Sequence, residues 1–136
     1  MMLNTIPTII RALMLLVAMT ALPAFAKQAF TEQGFEQAQA ANELVLIDVY
    51  ATWCPTCKKQ SKVLDAYFSE YPDSKLKVLV VDFDKQKDWV SFFKAPRQST
   101  LLLYRGEEQL WFSVAETNKE RIFARLRDAE QASAAE

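Results

Sequence analysis

Two short apolar runs, Leu44-Val45-Leu46-Ile47-Asp48-Val49-Tyr50 and Lys77-Val78-Leu79-Val80-Val81-Asp82-Phe83, lack the in–out alternation of a half-exposed strand. Strands of that kind are buried on both faces, the condition of a parallel sheet covered by helices. The segment between them has helical spacing from Pro55, well suited to a first helical turn, to about Tyr71. Val63, Leu64, Tyr67, Phe68 and Tyr71 share one side of it, Lys58, Lys59, Lys62 and Asp65 take the other, and Pro72-Asp73 ends it. A buried strand, an amphipathic helix and a second buried strand confine the chain to an α/β fold.

The remaining segments fit that frame. Ala29-Phe30-Thr31 reads as a short edge strand, and Thr31 can cap a helix from Glu32 to about Ala41 that buries Phe35 and Ala38. Lys85 to Phe93 reads as a short helix with Trp89, Phe92 and Phe93 turned inward. Thr100-Leu101-Leu102-Leu103-Tyr104 and Leu110-Trp111-Phe112-Ser113-Val114 flank Arg105-Gly106-Glu107-Glu108 as a β-hairpin. Asn118 can cap a last helix to about Ala129 carrying Ile122, Phe123 and Leu126 inward, after which Glu130 to Glu136 is expected to fray. The order β-α-β-α-β-α-β-β-α makes a single domain, and an apolar content of 51% over 136 residues supplies its core.

The first 26 residues read as a leader rather than as part of the fold. Arg11 precedes the uncharged stretch Ala12 to Leu22, and Pro23 leads into Ala24-Phe25-Ala26, an A-x-A cleavage pattern. The apolar stretch is about half of what a membrane-spanning helix needs. A signal peptide over 1–26, a domain over 27–130 and a flexible tail over 131–136 are therefore expected, in a periplasmic or otherwise exported protein. If left uncleaved, the leader would anchor the domain to the membrane.

Composition excludes several chemistries. A net charge of -1 gives no reason to expect a nucleic acid or other polyanion as partner. The chain has no histidine, which removes His-based acid–base catalysis, Ser/His and Cys/His nucleophile pairs and His-containing metal sites. No cofactor motif is present.

The two cysteines of the chain stand in one tetrad, Cys54-Pro55-Thr56-Cys57, between the first buried strand and its helix. Structural disulfides of exported proteins gain most by closing long loops, so a two-residue gap makes a poor staple. Two thiols at a helix start can instead close a small reversible disulfide, whose first sulfur meets the free N–H groups and the helix dipole that favour a thiolate. Asp48, in an otherwise apolar strand, should hold its proton more tightly than usual and is suited to serve as a base.

The stretch from Val45 to Lys58, Val-Leu-Ile-Asp-Val-Tyr-Ala-Thr-Trp-Cys-Pro-Thr-Cys-Lys, resembles the thioredoxin family's apolar strand, buried aspartate and Ala-x-Trp-Cys-x-x-Cys motif. A second stretch, Ser99-Thr100-Leu101-Leu102-Leu103-Tyr104-Arg105-Gly106, is similar to the family's Pro-Thr-Leu-x-x-Phe strand and turn. The resemblance extends over nearly all of 28–129, with these two stretches as its anchors, and implies a thioredoxin-like fold, a central mixed sheet of four to five strands flanked by helices. The resemblance implies Cys54 as attacking thiolate, Cys57 as buried resolving thiol in a Cys54–Cys57 redox disulfide, and Asp48 as the group that takes the Cys57 proton. It implies a substrate surface of Trp53, Pro55, Thr56, Ser99 and Thr100. Lys58 and Lys59 read as a solvated helix face.

Two positions depart from the family's pattern. Ser99 stands where a cis-proline normally faces the disulfide. A non-proline cis bond costs about 3 kcal/mol, so the Gln98–Ser99 peptide is expected to be trans or strained, with the serine hydroxyl placed to donate to the Cys54 thiolate. Val80 stands where many thioredoxins carry a buried lysine, which leaves Asp48 without that cation.

The resemblance implies a thiol–disulfide oxidoreductase acting on cysteine-containing exported proteins. Strongly oxidising relatives often carry histidine between the cysteines, whereas Pro55-Thr56 adds no charge, so a reductase is favoured over an oxidase. A reductase in an oxidising compartment needs a membrane thiol–disulfide electron donor. A monomer is expected. The alternative is a Cu(I)-binding or metal-delivery module using the two thiolates; zinc would remain two ligands short.

Overall fold

A computed structural model describes residues 27–134. The leader expected over 1–26 lies outside the described residues, as do 135 and 136 of the expected tail. The elements are β1 (Lys27–Ala29), α1 (Glu32–Ala40), β2 (Leu44–Tyr50), α2 (Pro55–Glu70), β3 (Lys77–Asp82), α3 (Lys87–Phe92), β4 (Thr100–Arg105), β5 (Glu108–Val114) and α4 (Lys119–Ala134). One five-stranded mixed sheet runs in the order β1-β3-β2-β4-β5. β3 is parallel to both β1 and β2, while β4 is antiparallel to β2 and to β5.

The two apolar runs of the sequence are the central strands, covered from both sides. Leu44 and Leu46 of β2 face Leu64 and Tyr67 of α2 and Ile122 and Leu126 of α4. Val45, Ile47 and Val49 face the other layer, Phe35 and Ala38 of α1 with Val90 and Phe93. Burying an aliphatic side chain of this size contributes about 1.5–3 kcal/mol, so the α2–β2–α4 sandwich is the stable frame on which the site is mounted.

Local chemistry sets the element ends. The Thr31 hydroxyl accepts from the Gly34 N–H at 3.1 Å and starts α1. Asn118 Oδ1 accepts from the Arg121 N–H at 2.8 Å and starts α4. Gly106, at φ 53, lets the β4–β5 hairpin close in two residues.

Three expectations shift. The edge strand is Lys27–Ala29, because Thr31 serves as a cap and Phe30 turns into the core against Phe35 and Phe93. Phe92 points outward, 62% exposed, and Val90 and Phe93 face in. Neighbouring helical residues lie about 100° apart, so Phe92 and Phe93 cannot share one narrow face. Finally, α4 continues to Ala134 instead of fraying from Glu130. Glu130 accepts from the Tyr67 and Ser74 hydroxyls, from the Lys75 N–H at 3.1 Å and from Arg127 at 3.3 Å.

Candidate active site

The chain leaves β2 at Tyr50, turns through Ala51 to Trp53, and enters α2 at Cys54. Cys54 has extended backbone (φ -91, ψ 110) and acts as the helix N-cap, with Pro55 in the first turn. Its Sγ accepts the Cys57 N–H at 3.1 Å, so the first sulfur is seated on one of the unpaired donors of the helix start. Cys54 and Cys57 form a disulfide with Cα atoms 5.3 Å apart. Both residues are covered, at 1% and 0% exposure. Helix position, not exposure, therefore distinguishes the sulfurs: the helix N-terminus favours negative charge on Cys54.

Opposite the disulfide stands Ser99. No described peptide bond is cis, and Ser99 adopts a left-handed φ of 62. For a residue with a Cβ that conformation costs about 1 kcal/mol, and here it is fixed from three directions. The Ser99 N–H donates to Val49 O at 2.8 Å, and its carbonyl accepts from the Ala115 N–H at 2.8 Å and from Gln60 Nε2 at 3.1 Å. Its hydroxyl lies 3.4 Å from Cys54 Sγ and 3.6 Å from Cys57 Sγ. Ser99 is fully buried, so it meets the sulfurs and not the surface on which a substrate would first land.

Asp48 projects from β2 on the same side as Leu46, towards α2, and is 1% exposed. Its Oδ1 has no hydrogen-bond partner among the described residues. Burial pushes its carboxyl up to about 6, against a smaller opposing pull from the Lys27 ammonium. Val80 is its register partner on β3, as the departure from the lysine pattern requires. The cation that acts on Asp48 comes from β1 instead: Lys27 reaches α2, where it bonds Ser61 O at 3.2 Å and pairs with Asp65.

Trp53 is 56% exposed, with its Nε1 donating to Asp84 Oδ2 at 2.8 Å and its ring edge-on to Phe83 at 6.4 Å. It is a fixed apolar surface next to the disulfide. Pro55 is exposed and Thr56 half-buried beside it, and Lys58 and Lys59 face solvent. Thr100 is a correction: it is fully buried, and its hydroxyl donates to Arg97 O at 2.6 Å, which commits it to the loop before β4.

The thioredoxin family model matches residues 26–128. The chain belongs to the thioredoxin family. It is 32% identical over 92 residues to thioredoxin of Bacillus subtilis, covering 68% of this chain and 86% of that one. It is 28% identical over 106 residues to thioredoxin of Alicyclobacillus acidocaldarius, covering 78% of this chain and all of the other. Among solved structures, Trxlp from Edwardsiella tarda is similar at 38% identity and a TM-score of 0.69, over 74% of this chain and 97% of that one.

Membership in the thioredoxin family makes the Cys54–Cys57 pair the redox centre of a thiol–disulfide oxidoreductase. Family membership gives the copper alternative no support. Two residues around this thioredoxin-type centre escape a reading of the sequence. Gln60 is fully buried and donates through Nε2 to both Ser99 O and Glu116 O, the latter at 2.9 Å. Its signal was present: with Cys57, Leu64 and Tyr67 it occupies the inward stripe of α2, where an amide is out of place. Lys27 gave no such signal, because its approach to α2 depends on how β1 lies along the sheet.

Proposed function

We propose that this thioredoxin-family protein is an exported reductant of protein disulfides, supplied with electrons by a membrane dithiol donor. The observation that carries the reading is a disulfide at the N-terminus of α2, with a buried carboxyl raised to about 6 on β2, the strand that leads into it. The leader-like sequence over 1–26 supports export, and the uncharged Pro55-Thr56 dipeptide supports the reducing direction.

The steps follow from these positions. The Cys54 thiolate attacks one sulfur of a client disulfide; a mixed disulfide forms and the first client thiolate leaves. Cys57 gives its proton towards Asp48 and attacks Cys54 Sγ, which expels the second client thiolate and leaves the Cys54–Cys57 disulfide. Two electrons pass to the client, and a donor dithiol returns two. Trp53 offers the apolar surface against which a client chain lies.

A Cys57→Ala variant carrying its native leader stops this sequence at the mixed disulfide. Exported cysteine proteins linked through Cys54 are the expected products, and the absence of any Cys54-linked adduct would sink the reading. Rapid alkylation of the unaltered protein in its own compartment tests direction: a reductase is held as the dithiol, and a steady-state disulfide would reverse the assignment.

A further inference from the structure

We propose that Ser99 is a catalytic hydroxyl that hydrogen-bonds the reacting sulfurs, and that Gln60 is the positioning residue that holds it there. The inference rests on the thiol–disulfide chemistry of the family and holds for either direction of electron flow. In the disulfide neither sulfur carries a proton, so at 3.4 and 3.6 Å the serine O–H is the donor. The two sulfurs are its hydrogen-bond partners among the described residues, and they lie in a small buried cluster with Ala51. A hydroxyl so placed is poorly paired against a disulfide and well paired against a thiolate, the stronger, charged acceptor.

That difference couples the hydroxyl to redox state. On reduction, Cys54 Sγ is met by two donors, the Cys57 N–H and the Ser99 O–H. Both strengthen as negative charge appears, so the thiolate is favoured and the dithiol–disulfide equilibrium moves towards the reduced form. The hydroxyl also stands within reach of Cys57 Sγ, where charge appears in the resolving step.

The surroundings show that the position is fixed. A left-handed serine is held by its own N–H and by two donors on its carbonyl. Gln60 supplies one of them and uses the same nitrogen to grip Glu116 O, so α2 is tied to the residues just before β4 and just after β5. Gln60 Oε1 is left without a partner, which makes the residue a poor choice for packing alone.

The test compares the full protein with Ser99→Gly, Ser99→Ala and Gln60→Leu. Cys54 thiolate absorbance is titrated in the reduced proteins, and the disulfide content is measured at equilibrium in glutathione buffers. Loss of the hydroxyl should lower the thiolate-to-thiol ratio about tenfold at a given pH. It should favour the disulfide about tenfold, some 30 mV more reducing. Gln60→Leu should act in the same direction by a few-fold. Ser99→Gly relieves the left-handed strain and keeps the fold, so it decides the matter if Ser99→Ala is unstable. A folded Ser99→Gly protein with unchanged titration and glutathione equilibrium overturns the proposal. Should the unaltered protein fail to reduce client disulfides while these shifts appear, the functional reading falls and the role of Ser99 stands.

Discussion

Asp48 and Glu130 are both acidic groups, one on the strand that leads into α2 and one set against the far end of that helix, and they are treated in opposite ways. Asp48 is buried with one oxygen unpaired, and burial raises its carboxyl to about 6. Burial also acts to raise Glu130, but hydrogen bonds from Ser74, Tyr67 and Lys75 and the charge of Arg127 outweigh it, and its carboxyl ends below the ordinary range. A satisfied carboxylate secures the fold. An unsatisfied one costs stability and keeps a proton within reach of chemistry.

The sharpest way to break this contrast is Glu130→Ala. It removes the acceptor of four donors, the Tyr67 hydroxyl among them. A loss of about 3–4 kcal/mol in urea unfolding is expected, with thiol–disulfide exchange per folded molecule unchanged. Because the Glu130 carboxyl is lowered in the folded state, its contribution is present at neutral pH and is lost as pH falls through its folded value.

Asp48→Asn should move stability the other way. The folded protein holds the Asp48 proton up to about pH 6, the unfolded chain only to about its ordinary 3.8. Stability therefore falls as pH rises between those values, and the full cost, about 3 kcal/mol, persists above them. The variant should be more stable at pH 8 by up to that amount and equal to the unaltered protein near pH 3. It should also lose the rise in client reduction centred near pH 6, which stopped-flow exchange at several pH values would reveal.

The smallest effect expected is that of Lys27→Met. Without the opposing cation, the Asp48 carboxyl should climb further, moving that limb to higher pH. No movement would mean that the β1 lysine exerts no hold on the site.

Most of the frame was legible because it depends on faces. Leu44–Tyr50 lacked alternation and is buried on both sides, and Thr31 and Asn118 cap the helices they precede. The disulfide and Asp48 were legible for the same reason, as polar residues at fixed offsets in apolar segments. What escaped depends on distant segments converging. Gln60 has meaning only when the residues before β4 and after β5 come together above α2. Thr100 looked available to a substrate until the loop from Arg97 folded back on it. Phe92 and Phe93 were indistinguishable as a pair, and the phase of one short helix decided which went inside.

The left-handed, trans Ser99 carries a warning for anyone redesigning this protein by comparison with its relatives. Restoring proline at that position looks like repair. Yet proline fixes φ near -65°, opposite in sign to the 62 observed, and it has no N–H to give Val49 O. A consensus swap would therefore lose a backbone hydrogen bond and force a new path through the residues around Gln98, beside the disulfide. Serine here is one half of a matched pair with its backbone, and the unit of exchange between this protein and its relatives is the whole loop.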